Sequence, residues 1–272
     1  MKANRREPRI RPGLLTTGVF LVAVLAVGVV VSAGKLKDLY LEQCVIRDMA
    51  TQVSITSGKM VKADVIAENL GLRPGANLAT IDFAARREEL LAKVPNLLSI
   101  RIARKLPDKV AVVAEERVPV ARLERAGKKR DNPSGRVVDT EGVVFLWQRG
   151  TQSLPVIRET QAPGTAKGCR IKGRMLAALR LVEACREPEL LELGLLEVDT
   201  SKHDFLVATL GNYSKVKILW EEMDESTPVA RQDLVVRLTL LRDTIRSRIA
   251  PNAVIWNATI PNRIFADTQE TL

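Results

Sequence analysis

The chain has 272 residues, 46% of them hydrophobic, and its formal net charge at pH 7 is +10. That length allows a membrane segment together with one large domain or two modest domains that have hydrophobic cores. Three cysteines are too few for a disulfide framework, and a single histidine has no second histidine with which to chelate a metal, so neither kind of site is expected.

Residues 14–33 form an uncharged run of twenty residues, which predicts a transmembrane helix. At about 1.5 Å per residue, a helix of that length spans a bilayer core of about 30 Å. Five basic residues and one acid precede the run, so residues 1–13 are predicted to stay in the cytoplasm. The small residues Val31, Ser32 and Ala33 leave a cleaved signal peptide as the alternative, although such apolar segments usually span about 7 to 15 residues. Cleavage would produce an exported, soluble binding protein.

The positive charge does not by itself indicate a nucleic-acid partner. Five of the basic residues precede the apolar run, where membrane orientation and attraction to lipid explain them. The dense basic run at residues 127–130 has no aromatic neighbour on which a base could stack, so no nucleic acid is expected. His203 is predicted to lie on the surface. Cys169 and Cys185 could pair in an oxidising compartment, but buried, inert thiols are the preferred interpretation.

The sequence after the apolar run predicts a juxtamembrane linker and then a small domain. Residues 34–45 have moderate helical character and are interpreted as the linker. The elements predicted next are a strand at 50–55, helices at 63–70 and 83–93, and strands at 97–103 and 109–115. Asp82 is the predicted N-cap of the second helix. Strand, helix, helix, strand and strand within about seventy residues predict a compact two-layer unit over residues 46–117.

A larger second domain is predicted over residues 118–265. Pro119 removes a ladder donor and is interpreted as the seam between the two domains. The predicted elements are strands at 118–124, 136–138, 143–147 and 154–157, a helix at 173–186, strands at 193–198, 203–210 and 215–220, a helix from Pro228 capped by Thr227, and one long strand or a strand pair at 253–265. The predicted fold class is α+β with an antiparallel sheet, followed by a disordered tail at 266–272.

Short motifs in the first domain resemble those of a known family. The motif residues are Gly75, Asn77 and Leu78 in a Gly-x-Asn-Leu turn, Leu91 and Pro95 at a helix end, Arg104 and Pro107, and finally Glu116, Arg117, Pro119, Val120 and Ala121. In this order and spacing they resemble the POTRA domain of the FtsQ/DivIB cell-division family. The strings VVDTEGVVF and LPVI extend the resemblance into the second domain. Ser57 and Gly58 depart from it, because they replace the family's usual Gly-Asn turn.

The resemblance implies a bitopic protein of the cell inner membrane with most of its chain in the periplasm. It also implies a non-catalytic scaffold at the division septum that contacts FtsB/FtsL-like proteins and other divisome components. No Gly-x-Ser-x-Gly elbow or P-loop is present, so no enzyme activity, cofactor or small-molecule substrate is expected. The alternative is a POTRA-bearing, chaperone-like component of an outer-membrane translocation or secretion system. Such chains usually carry POTRA repeats or a β-barrel, and the sequence shows neither pattern.

Partner binding is predicted to use strand addition, in which an exposed sheet edge offers unpaired N–H and C=O groups. The first candidate edge is Val254, Ile255, Trp256, Asn257, Ala258, Thr259 and Ile260. Trp256 is either the anchor of this interface or a core residue of its own domain. The second candidate is a docking strand in the small domain, made of Ser99, Ile100, Arg101, Ile102, Ala103 and Arg104.

Overall fold

A computed structural model describes residue 32 and residues 34–125, 135–148, 150–159, 167–219 and 227–267. The predicted cytoplasmic tail and, apart from Ser32, the predicted membrane helix at 14–33 lie outside the described residues. Within the described ranges, no helix is both long and apolar enough to cross a bilayer.

The chain divides into two compact units, which are described separately. The first contains the described residues up to Thr56 together with Ala63–Arg87 and Arg101–Val113. The second contains Ser57–Lys62, Glu88–Ile100 and the described residues from Ala114 onward.

The N-terminal part of the chain has the predicted β-α-α-β-β order. Its elements are α1 (34–43), α2 (Met49–Gln52), β1 (Val53–Thr56), α3 (Ala63–Leu70), α4 (Phe83–Lys93), β2 (Leu97–Lys105) and β3 (Lys109–Glu116). The three strands form a sheet in the order β1-β3-β2, with β1 parallel to β3. The structure confirms the bounds predicted for α3 and α4, because apolar residues at helical spacing and clear end signals define both helices.

Capping side chains explain where two of these helices begin. Asp82 accepts hydrogen bonds from the backbone N–H groups of Ala84 and Ala85 at 3.0 and 3.1 Å, which confirms it as the cap of α4. Asp48 accepts from the backbone of Ala50 and from the hydroxyl of Thr51, which lowers the pKa of its carboxyl. The prediction of a strand over 50–55 is therefore wrong at its start, because this cap holds residues 50–52 in α2.

The second part of the chain builds one large sheet and two long helices. The elements are β4 (Ala121–Arg125), β5 (Arg136–Val138), β6 (Val144–Leu146), β7 (Val156–Glu159), α5 (Arg174–Ala184), a 3₁₀ turn (Leu191–Leu193), β8 (Glu197–Asp199), β9 (Phe205–Thr209), β10 (Lys215–Leu219), α6 (Pro228–Arg246), β11 (Ile255–Asn257) and β12 (Phe265–Asp267). The strand order is β12-β11-β10-β9-β8-β7-β4-β5-β6. Thr227 caps α6 by accepting from Ala230 N–H, as predicted.

The prediction of an antiparallel sheet is wrong for three strand pairs. β4 and β7, β7 and β8, and β10 and β11 are parallel, and the other pairs are antiparallel. A parallel pair needs a crossover connection, usually through a helix. The chain meets this need with α5 between β7 and β8 and with α6 between β10 and β11.

The core of the second unit lies between one face of the large sheet and the helices α5 and α6. On the sheet side of this core, six strands each contribute one buried residue to a single row across the sheet, called the apolar floor. Its residues are Leu123, Ile157, Val198, Ala208, Val216 and Trp256. Leu234, Leu238 and Leu241 of α6 pack into the same cluster. The apolar stripe of α6 therefore packs onto its own sheet.

The opposite face of the sheet carries a charged ladder formed by Arg122, Glu124, Arg158 and Glu197. Arg122 donates to Glu124 at 3.0 Å, and Arg158 donates to Glu197 at 2.5 Å while lying 4.0 Å from Glu124. The hydrogen bond that Arg158 donates to the Glu197 carboxylate is the main cause of the raised pKa of Arg158. Because side chains alternate between the two faces of a strand, these charges stay away from the apolar floor.

The three cysteines are free thiols, and they differ in accessibility. Cys44 and Cys185 are buried, and burial raises the pKa of the Cys185 thiol to about 12. Cys169 is exposed, so the prediction of a buried thiol is wrong for that residue.

We expect a water-soluble maleimide at pH 7 to label Cys169 quickly, because the reactive species is the thiolate and only this thiol is accessible. Cys44 and Cys185 should react only after the chain is unfolded in denaturant. Mass spectrometry of labelled peptides measures this order. Fast labelling of Cys185 in the folded chain would contradict its burial at the C-terminal end of α5.

Candidate functional site

The Gly-x-Asn-Leu turn forms hydrogen bonds with the C-terminal end of α1 and the residues that follow it, all within the first unit. Gly75 N–H donates to Ile46 C=O at 2.8 Å, and Leu78 N–H donates to Cys44 C=O at 2.9 Å. The side-chain amide of Asn77 donates to Leu41 C=O at 2.8 Å. Gly75 has a φ of +83°, a conformation that side chains disfavour, which accounts for glycine at this position. The motif therefore has a structural role, and its contacts reach Cys44, two residues before the predicted domain start.

Glu116 holds the turn that departs from the family pattern. Its carboxylate accepts hydrogen bonds from the backbone N–H groups of Lys59, Met60 and Val61 at 3.0, 2.9 and 2.7 Å. A Cβ atom added at Gly58 would lie 2.1 Å from Oε2 of Glu116, so the close approach requires glycine. The Glu116 carboxylate therefore has a structural role, because it stabilises the backbone of residues 59–61.

Arg117 forms a partly buried ion cluster in the second unit. Its guanidinium donates to Asp139 at 2.5 Å and to Glu141 at 3.0 Å. Asp139 also accepts from Val143 N–H at 2.8 Å, which joins the cluster to the β5–β6 turn. Burial lowers the pKa of Arg117, but the hydrogen bonds to Asp139 and Glu141 raise it by more, so the group stays charged. The contact between Arg117 and Asp139 thus joins the Glu116-Arg117 motif to the Val138-Asp139 motif.

The predicted docking strand of the small domain, residues 99–104, lies on β2. This strand is outermost in the three-stranded sheet. Ile100 is buried, and the hydroxyl of Ser99 donates to Glu115 at 3.0 Å. Arg104 donates to Ile81 C=O at 2.7 Å, and its guanidinium lies 4.7 Å from the centre of the Phe83 ring. The edge position fits strand addition, although part of its side-chain surface is already engaged within the domain.

The predicted C-terminal edge, residues 254–260, is not an edge. Its strand β11 lies between β10, to which it is parallel, and β12, to which it is antiparallel. Trp256 is 4% exposed and belongs to the core, so the structure supports the core alternative for this side chain. The reason is a turn at Pro261 and Asn262 that brings the chain back as β12, so the edge strand is Phe265–Asp267.

The two ends of the large sheet differ in how they are covered. At the β6 end, Val144 N–H donates to Cys169 C=O at 2.9 Å and Gly168 N–H donates to Val144 C=O at 2.7 Å. Residues 168–170 therefore occupy the outer side of β6. At the other end, no strand among the described residues pairs with the outer side of β12. Phe265 on that strand is 47% exposed.

The described residues contain no group of three or more histidine, cysteine or acidic side chains placed to hold a metal ion. His203 is exposed, as predicted, and its Nδ1 lies 3.0 Å from a carboxylate oxygen of Asp204.

Known proteins share sequence features with this chain. The family described as POTRA domain, FtsQ-type, matches residues 50–117. The chain contains an FtsQ-type POTRA domain. It is also 34% identical over 146 residues to the cell division protein FtsQ of Streptomyces bingchenggensis (strain BCW-1). That alignment covers 53% of this chain and 49% of the relative, so the chain spans about half the length of the relative it matches. Both matches agree with the resemblance of the first domain to the FtsQ/DivIB family.

The hydrogen bond from Asn77 to Leu41 C=O in the FtsQ-type POTRA domain can be tested by substitution. Replacing Asn77 with alanine is expected to lower the free energy of unfolding by about 1 kcal/mol, because Leu41 C=O loses its side-chain partner. Amide hydrogen exchange should also become faster in residues 41–46. The matched control is Asn69→Ala, since the Asn69 amide donates to a helix carbonyl at an exposed site. Equal effects of the two changes would contradict an anchoring role for Asn77.

Of the two alternatives predicted for residues 253–265, the structure supports the strand pair, but its second strand, Phe265–Asp267, begins only at the end of the predicted segment. The signal was present as Pro261 and Asn262, since proline followed by asparagine is typical of a turn. Asn262 has a φ of +56°, which asparagine tolerates better than most residues. Two strands on either side of this turn would have placed the edge after residue 262.

Proposed function

We propose that this chain is a non-catalytic, membrane-tethered scaffold of the bacterial division machinery. In this proposal residues 14–33 cross the cytoplasmic membrane once, with the basic tail inside and the rest of the chain outside. The chain then gathers other division proteins at the septum through contacts outside the cytoplasm. The observation that carries the proposal is the FtsQ-type POTRA domain at residues 50–117, in a chain similar to a protein named for cell division.

The roles of the motif residues support a scaffold. Asn77 and Glu116 form hydrogen bonds with main-chain groups. Arg117 forms a partly buried ion pair with Asp139. Side chains used in this way are not available to act as nucleophiles or bases.

Partner binding by strand addition is proposed at β12. The outermost strand of a sheet offers backbone groups to an incoming strand, and exposed side chains beside it provide specificity. The exposed Phe265 supplies an aromatic contact of the kind that dominates many interfaces. The partners proposed from the family resemblance are FtsB/FtsL-like proteins. The edge of β2 at 99–104 is the second docking site in this proposal.

Depletion of the protein from growing cells tests the division role. We expect filamentous or undivided cells, and a fluorescently tagged full-length copy should concentrate at midcell. Normal septation together with defects in envelope protein insertion would contradict the proposal and favour the translocation component.

The sidedness of the chain is tested with the exposed Cys169. A membrane-impermeant maleimide should label Cys169 in spheroplasts of cells that express the full chain. Labelling that requires lysis of the spheroplasts would place the folded part of the chain in the cytoplasm and overturn the proposed topology. A cytoplasmic protein with a known exposed cysteine, expressed in the same cells, serves as the control for intact membranes.

A further inference from the structure

Helix α1 presents an apolar face that is largely exposed among the described residues. Leu36, Leu39 and Tyr40 are 66%, 56% and 45% exposed. Their spacing of three and four residues places them on one side of the helix. These three residues are called the apolar face of α1. Exposed apolar side chains at helical spacing indicate a surface that meets another apolar phase.

The charged residues of α1 are arranged around this face. At about 100° per residue, Lys35 and Lys37 fall on either side of the apolar face, Glu42 lies beside Lys35, and Asp38 lies opposite the face. Lysines at the flanks of an apolar stripe extend their charged ends toward water and lipid phosphates while their stems stay apolar. This arrangement is typical of helices that lie in a membrane interface.

The C-terminal end of α1 is fixed, which gives the apolar face a defined direction. Leu41 C=O accepts from the Asn77 side chain, and Cys44 C=O accepts from Leu78 N–H. Cys44 and Ile46 are fully buried directly after the helix. The first unit therefore holds α1 from its C-terminal side, while its apolar face remains largely exposed.

We propose that α1 lies along the outer membrane–water interface, with its apolar face at the boundary between lipid headgroups and acyl chains. This inference rests on the proposed function, because it requires residues 14–33 to cross the bilayer. That apolar run ends at Ala33, three residues before Leu36, so the face begins within a few ångströms of the hydrocarbon core. The occupant of the apolar face is therefore lipid.

The test uses the full-length chain reconstituted in vesicles of phosphatidylcholine and phosphatidylglycerol. An environment-sensitive fluorescent amino acid is placed at position 36, 38, 39 or 40, one position at a time. Lipids that carry a nitroxide near the headgroup then quench any probe that lies at the interface. We expect quenching at 36, 39 and 40 to exceed that at 38, on the opposite side of the helix, by about twofold or more. All four positions are exposed, so the probes should not disturb the fold.

Three outcomes would overturn the inference, and they are distinguishable. Quenching that decreases steadily from 36 through 38 and 39 to 40 would mean that α1 stands upright from the membrane. Vesicle-bound chain with no quenched position would mean that the face is not covered by lipid. A face that is open in vesicles but protected from labelling in cells would mean that another protein's helix covers it. If the chain does not remain with the vesicles, residues 14–33 do not anchor it in the membrane, and the proposed function is contradicted instead.

Discussion

Replacing Arg117 with methionine is expected to lower the free energy of unfolding by about 3 to 5 kcal/mol, because removing one partner of a buried ion pair strands the other. The Arg117 side chain is 13% exposed and the Asp139 side chain 5%, so little solvent reaches the carboxylate that remains. Asp139 would keep only its hydrogen bond from Val143 N–H. Chemical denaturation of the full chain, followed by circular dichroism, measures the change.

Arg170→Met is the matched control for Arg117→Met. Arg170 also donates to Glu141, at 3.2 Å, but its side chain is 63% exposed. Exposed ion pairs contribute about 0 to 1 kcal/mol, so this change should have little effect. In the double variant Arg117→Met and Asp139→Leu, part of the lost stability should return, because no charge is left buried without a partner. A loss for Arg170→Met as large as that for Arg117→Met would contradict the burial argument.

Local patterns predicted the elements better than their arrangement. The helices at 63–70 and 83–93 were predictable because each has apolar residues at helical spacing and a clear end signal. Which strands become neighbours depends on long-range packing that periodicity does not record. The three parallel pairs are an example. Two of them, β7 with β8 and β10 with β11, have α5 or α6 between their strands, so the order of elements contained a signal that the antiparallel interpretation overlooked. The third, β4 with β7, has the strands β5 and β6 between its members and carried no such signal.

The motif residues were found from the sequence, but their contacts were not. Asn77 reaches Leu41, a residue 36 positions earlier, and Arg117 reaches Asp139, 22 positions later. Neither pairing has a local signature, because both depend on how separate segments fold together. For the same reason the sequence left Trp256 with two interpretations, whereas the register of β11 between β10 and β12 decides in favour of the core.

Trp256→Ala is expected to lower the free energy of unfolding by about 3 to 5 kcal/mol, the range for removing a buried aromatic side chain from a core. Trp256 is in register with Val216 of β10 and packs in the cluster that α5 and α6 cover. Its loss therefore leaves a cavity that the surrounding helices can fill only in part. Val254→Ala is the control, because Val254 is exposed one position before β11. Equal stabilities of the two variants would contradict the core position of Trp256.

Phe265→Asp should show the opposite pattern, with stability within about 0.5 kcal/mol of the unchanged chain and impaired recruitment of division proteins. Phe265 is largely open to solvent on the outermost strand, so its side chain contributes little to the core but lies where a partner strand would add. Val229→Asp provides a matched change from apolar to acidic at an exposed site on α6. In cells that depend on the variant copy, Phe265→Asp should block septation and Val229→Asp should not. If Phe265→Asp cells divide normally while Trp256→Ala cells fail only through loss of folded protein, strand addition at β12 is ruled out and the edge of β2 becomes the docking site to test.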